Sequence, residues 1–116
     1  MELNIATAAL GALAHETRLR AFRLLVRAGE QGLSVGRLAE ALDVAADGRL
    51  SFHLKELVAS GLVSARQEGR FIYYATRYEA MNDLLRFLTE DCCGGLGCGE
   101  IVDTCAPAAC APEKSR

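Results

Sequence analysis

Five cysteines, Cys92, Cys93, Cys98, Cys105 and Cys110, occupy the final quarter of this 116-residue chain, and none precedes them. Thiolates are soft donors that select soft ions and discriminate against Mg²⁺ and Ca²⁺. Sulfur absent from the folding part of the chain and gathered in a Gly/Cys/Ala/Pro tail points to ligand chemistry rather than packing. The run Gly94-Gly95-Leu96-Gly97 gives the backbone the freedom to fold Cys98 back onto the adjacent pair Cys92–Cys93. These three sulfurs form a candidate three-thiol site. Trivalent arsenic, with its stereochemical lone pair, bonds three sulfurs as a low pyramid and needs no fourth ligand. A structural zinc site usually shows paired Cys-x₂-Cys knuckles, and the tail has none. Cys105 and Cys110 are more widely spaced and stand as accessory or unused ligands. An odd thiol count in a reducing compartment favours metal binding or redox sensing over a disulfide framework.

The elements that would carry such a site can be read from periodicity. Leu3 to Leu13 is an Ala/Leu helix with few charges, more apolar than a free surface helix. From Glu16 to Ala28 the residues Leu19, Phe22 and Leu25/Val26 recur at helical spacing and stop at Gly29, a C-cap. Ser34 can cap a short helix with the inner face Val35, Leu38, Ala39 and Leu42; Asp47 can cap a second, with the stripe Leu50, Leu54, Leu57 and Val58. The period then shortens to that of strands over Leu62–Glu68 and Phe71–Thr76, around the turn Glu68-Gly69-Arg70. A final helix from Tyr78 to about Glu90 carries the apolar seam Met81, Leu84, Leu85 and Leu88. The expected fold is mainly α with a small β-hairpin: a winged helix–turn–helix over residues 1–91, followed by a Cys/Gly-rich tail, 92–116. In that plan the second helix of the pair enters the major groove of double-stranded DNA and the hairpin wing rides the flanking backbone. The first helix and the last seam are the natural surfaces for a homodimer.

The net charge of −2 is divided unevenly. Residues 14–77 hold ten Lys and Arg against seven acids, while residues 78–116 hold three against seven. A positive head suits phosphate, and an acidic end can help to hold a cation. On the wheel of the 47–60 helix, Phe52 and Lys55 face outward, flanked by Arg49, Ser51 and His53. Arg49 and Ser51 suit base or phosphate contact, Phe52 a thymine methyl or the groove wall, and Lys55 a phosphate. His53 divides evenly between base contact and bonding to its neighbours. Arg66 and Arg70 suit the phosphates under a wing. His15, just before a helix, suits capping or packing.

Three separated stretches carry a family likeness. Leu13-Ala-His-Glu-Thr-Arg-Leu-Arg-Ala-Phe-Arg-Leu-Leu25, Leu50-Ser-Phe-His-Leu-Lys-Glu-Leu-Val-Ala-Ser-Gly-Leu-Val63 and Glu68-Gly-Arg-Phe-Ile-Tyr-Tyr74 resemble the ArsR/SmtB metalloregulatory repressors over about residues 8–93. The resemblance implies a homodimer that binds an inverted-repeat operator and releases it when an inducing ion binds. Many arsenic sensors of that family carry a Cys-Val-Cys pair before the reading helix; here Ser34 and Gly36 stand at those places. Other members bind zinc on the last helix through Asp and His; here that helix offers Asp83 and Glu90 without a His. The cysteines after the last helix are similar to a third arrangement, in which an adjacent pair and one downstream thiol bind trivalent arsenic or antimony. Gly48 departs from the family, whose members usually place a better helix former or a hydroxyl residue there.

The implied protein is a cytoplasmic, arsenite- or antimonite-responsive repressor with As(III) or Sb(III) as inducer and no organic cofactor. The same fold sensing methylarsenite, cadmium, lead or bismuth, or acting as a thiol redox sensor, is the alternative. A thiol-rich metal carrier would show no specific DNA binding. No Ser/His/Asp set, acid–base carboxylate pair or phosphate loop marks an enzyme. No signal peptide or run of about 18 apolar residues marks a membrane span.

Overall fold

The computed structural model describes residues 1–95. In chain order the elements are α1 (Leu3–Leu13), α2 (Glu16–Ala28), β1 (Leu33–Ser34), α3 (Val35–Leu42), α4 (Gly48–Ala59), β2 (Val63–Glu68), β3 (Phe71–Thr76) and α5 (Tyr78–Thr89), ending in a 3-10 turn, Cys92–Gly95. Local chemistry sets most of these limits. His15 Nδ1 accepts from the Thr17 N–H at 3.1 Å to open α2, and Gly29, at φ +83°, closes it. Ser34 Oγ accepts from Arg37 N to open α3, and Asp43 closes it in the left-handed region at φ 59°. The Asp47 carboxylate accepts from the N–H groups of Arg49, at 3.0 Å, and Leu50 to open α4. Gly48 is the first residue of α4, so the cost of an interior glycine does not apply there.

The core lies where α2, α3 and α4 meet the sheet. Leu25, Leu38, Leu54, Leu57 and Leu62 are fully enclosed, each contributing about 1.5–3 kcal/mol of burial. Ala6, Ala9 and Ala12 seat α1 against this cluster, their small side chains allowing a close approach. Tyr78, at the start of α5, is buried and its hydroxyl donates to the Val26 carbonyl at 2.7 Å, fastening α5 to α2. Leu19 departs from the helical pattern read for α2: it is exposed, and Ala21 takes its place inside with Phe22 and Leu25.

The hairpin is one edge of a three-stranded antiparallel sheet in the order β1-β3-β2. β2 and β3 pair from Val63↔Thr76 to Glu68↔Phe71. The two-residue β1 pairs Leu33 with Tyr74 and Ser34 with Tyr73, tying the wing to the start of α3. A two-residue strand has no periodicity to betray it. Its sequence mark is Gly32, at φ +74°, where an added Cβ would stand 2.0 Å from the Tyr74 carbonyl oxygen. Tyr74 is buried and Tyr73 half-buried, and β3 passes from an exposed tip at Phe71 and Ile72 to a buried end at Ala75 and Thr76.

The seam read on α5 divides. Leu84 is buried and Met81 half-buried, whereas Leu85 and Leu88 are exposed. α1, which packs against α5, exposes Leu3, Ile5 and Leu10. Apolar side chains on both helices therefore stand open to solvent within this single chain. No helix among the described residues is long and apolar enough to cross a membrane.

Candidate nucleic-acid interface and thiol cluster

The α3–turn–α4 unit presents one face of α4 to solvent because its opposite face is spent on the core. Leu50, Leu54 and Leu57 are buried, and Arg49, Phe52 and Lys55 are exposed, with Ser51 half-buried beside them. Phe52 keeps 53% of its surface open, an unusual position for a phenylalanine on a helix that already has a complete apolar stripe. Arg18 of α2 reaches over its ring, with Cζ 5.7 Å from the centroid.

His53 is not on this surface. It is buried, its Nδ1 accepts from Arg18 Nε at 3.0 Å, and its ring lies 4.4 Å from that of His15. Of the two roles open to it in the sequence, bonding to its neighbours is the one the structure displays. Burial, followed by the positive charges of His15, Arg18 and Arg49, holds its pKa below the ordinary 6.5. The neutral ring is therefore the form the fold keeps. Leu50, His53, Leu54 and Leu57 form one i, i+3, i+4, i+7 set, a signal in the sequence that places His53 inward.

On the wing, Arg70 is exposed at the hairpin turn, where Gly69 adopts φ +64°. Arg66 is exposed but engaged: its Nε meets Glu68 Oε2 at 2.7 Å, and its Cζ lies 5.1 Å from the Tyr73 ring. Such an exposed pair is worth at most about 1 kcal/mol, so a phosphate can compete for the guanidinium. Phe71 and Ile72 beside it are exposed. Sequence reasoning did not single out Arg18, the residue of α2 that touches both Phe52 and His53.

Past α5 the backbone turns sharply. Asp91 and Cys93 adopt φ 59° and 56°, and Gly94 φ 69°; the Gly94 N–H donates to the Asp91 carbonyl at 2.9 Å. The turn brings Cys92 Sγ within 3.8 Å of Cys93 Sγ. Two sulfurs bound to one thiophilic ion can be at most two bond lengths apart, about 4.6 Å for the ~2.3 Å bond of a zinc thiolate. The pair meets that limit. Cys92 is a free thiol. Cys98, Cys105 and Cys110 lie outside the described residues. Among the described residues no three His, Cys, Asp or Glu side chains gather as a metal site.

A helix–turn–helix with a cationic outer face and a basic hairpin at its flank defines the chain as a winged helix–turn–helix regulator that binds DNA. A helix–turn–helix domain model matches residues 13–65. A protein named as an arsenical resistance operon repressor, ArsR, from Halobacterium salinarum is 42% identical over 67 residues, 58% of this chain. That match spans only 50% of the halobacterial protein. An ArsR-like transcriptional regulator from Rhodococcus sp. RHA1 superposes with a TM-score of 0.63 at 30% identity, covering 73% of this chain and 76% of that one. A homodimeric winged helix–turn–helix DNA-binding domain from Mycobacterium bovis does so with a TM-score of 0.59 at 30% identity, covering 75% and 74%. The chain belongs to the ArsR/SmtB family of transcriptional regulators.

Proposed function

We propose that this protein is a homodimeric repressor that holds double-stranded operator DNA and lets go when Cys92, Cys93 and Cys98 capture trivalent arsenic or antimony. The observation that carries this reading is the 3.8 Å approach of Cys92 and Cys93 immediately beyond α5, the helix whose exposed Leu85 and Leu88 suit a dimer contact. The name of the halobacterial relative supports the class of inducer, and the homodimeric mycobacterial domain supports the assembly. In this reading Arg49, Ser51, Phe52 and Lys55 of α4 meet the major groove while Arg66 and Arg70 meet phosphate. His53 serves from behind.

In the fully reduced protein the exchange balances without a further redox partner. Three thiols displace the three hydroxyls of arsenous acid, forming three arsenic–sulfur bonds and releasing three waters. Closure of that pyramid pulls the chain after α5 into one arrangement. A shift of α5 then alters the separation of the two α4 helices in the dimer. Linkage makes the effect reciprocal, so bound operator weakens arsenic binding by the same factor, commonly about 5–150-fold.

The same 3.8 Å approach of two sulfurs favours one second reading, a thiol redox switch on the same fold. A single titration tests the proposal and separates the two. Fluorescence anisotropy of the reduced protein on a duplex selected from random sequence should show arsenite releasing the DNA at concentrations matching the thiol sites. Release by peroxide with no response to arsenite would replace the metalloid reading with the redox one.

A further inference from the structure

The α4 reading helix is held from behind by an ionisable joint. Arg18 of α2 donates Nε–H to His53 Nδ1 at 3.0 Å and places its guanidinium 5.7 Å from the centroid of the exposed Phe52 ring. One arginine thus touches the two adjacent residues of α4 that face opposite ways, one into the protein and one toward a groove. Acceptance at Nδ1 requires a neutral His53 with its proton on Nε2. We propose that Arg18 is a positioning residue for DNA reading, that it sets Phe52 and the pitch of α4 through His53, and that a proton arriving at His53 Nδ1 opens this joint and weakens DNA binding.

The surroundings fix the sign. His15 lies ring against ring with His53, and Arg18 from α2 and Arg49 from α4 add positive charge. Asp47 shares a cavity with His53, but its carboxylate is bound to two backbone N–H groups. Glu56 shares the groove between α1 and α4 with Arg18. α1 contributes no ionisable side chain, and Arg66 and Glu68 of β2 are paired with each other on the wing. A second proton on His53 removes the acceptor and sets an imidazolium against the Arg18 guanidinium. Because the folded state binds this proton less readily than the unfolded chain, the joint is intact above pH 6.5 and is lost as pH falls below it. Ordinary electrostatics runs the other way: protonated histidines strengthen attraction to phosphate.

The inference rests on the DNA-reading function proposed above, and the test separates the two. The probe is a duplex selected from random sequence by the full-length wild-type chain at pH 7.5; if none can be selected, DNA reading fails and the joint has nothing to position. With the duplex in hand, wild type should lose about tenfold or more in affinity between pH 7.5 and pH 5.0 at fixed ionic strength. His53→Gln, which keeps an acceptor that does not titrate, should lose less than about threefold. The only other histidine is His15, and His15→Asn, which preserves a helix-capping acceptor, should retain the wild-type profile. Arg18→Lys should bind weakly already at pH 7.5 and show little further loss. Parallel profiles for wild type and His53→Gln, or a profile abolished by His15→Asn alone, would overturn the proposal. Should Arg18→Lys prove unstable, the comparison of wild type with His53→Gln decides alone.

Discussion

A chain ending at Asp91 will bind its selected duplex within about twofold of the full-length affinity and will ignore arsenite altogether. The basis is the separation of fold from sulfur. α5 ends at Thr89 and the most C-terminal buried residue among those described is Leu84, so the truncation removes no buried side chain among the described residues. The reading face of α4 and the wing lie wholly before residue 77. No residue before Cys92 carries a thiol, so a soft ion has no sulfur left to bind. The whole coupling between inducer and DNA, about 1–3 kcal/mol in systems of this kind, should vanish in one step. Anisotropy titrations of both lengths with arsenite measure it. Release of the shortened chain at the same arsenite concentration would move sensing away from the tail.

The other large effect lies at the root of the wing. Replacing Gly32 with alanine will cost about 3–5 kcal/mol, combining a left-handed non-glycine backbone with an overpacked contact. Gly32 stands at φ +74°, and an added Cβ would meet the Tyr74 carbonyl oxygen at 2.0 Å and its carbon at 2.8 Å. Neither is the loose end of a side chain. Both belong to the backbone that pairs with Leu33, so relief requires β1 to leave β3 and frees the wing from α3. Thermal unfolding should show a midpoint lowered by at least about 12 °C, at roughly 4–8 °C per kcal/mol for a domain this size. Gly48→Ala is the control: its Cβ meets nothing within 4 Å, and it should leave the midpoint unchanged or raise it. A Gly32→Ala protein melting within two or three degrees of wild type would show that β1 pairing carries little of the stability.

What the sequence disclosed follows from which forces are local. Asp47, Ser34 and Gly29 announce helix ends because a cap acts over three or four residues, and the structure uses all three. The leucines of α4 repeat at the spacing of a buried stripe, so the outward placement of Phe52 and Lys55, with Arg49 at their flank, could be read directly. β1 escaped because its two residues pair with a strand some forty positions away, and distance along the chain leaves no pattern. Leu19 misled because hydrophobicity was weighed alone: α2 turns Ala21, Phe22 and Leu25 inward, and Leu19 lies outside that face. The Arg18–His53 contact spans two helices and 35 positions, beyond any local rule, although the helical spacing of His53 pointed inward. At Cys92 and Cys93 adjacency was visible, whereas the left-handed turn that brings the sulfurs together was not.

Everything proposed about regulation depends on how many sulfurs a single metalloid gathers. X-ray absorption at the arsenic edge, on reduced full-length protein loaded with equimolar arsenite, should count three sulfur neighbours and no oxygen, and a Cys98→Ser variant should count two. An oxygen in the wild-type shell, or a sulfur count unchanged by the Cys98→Ser substitution, would contradict the account.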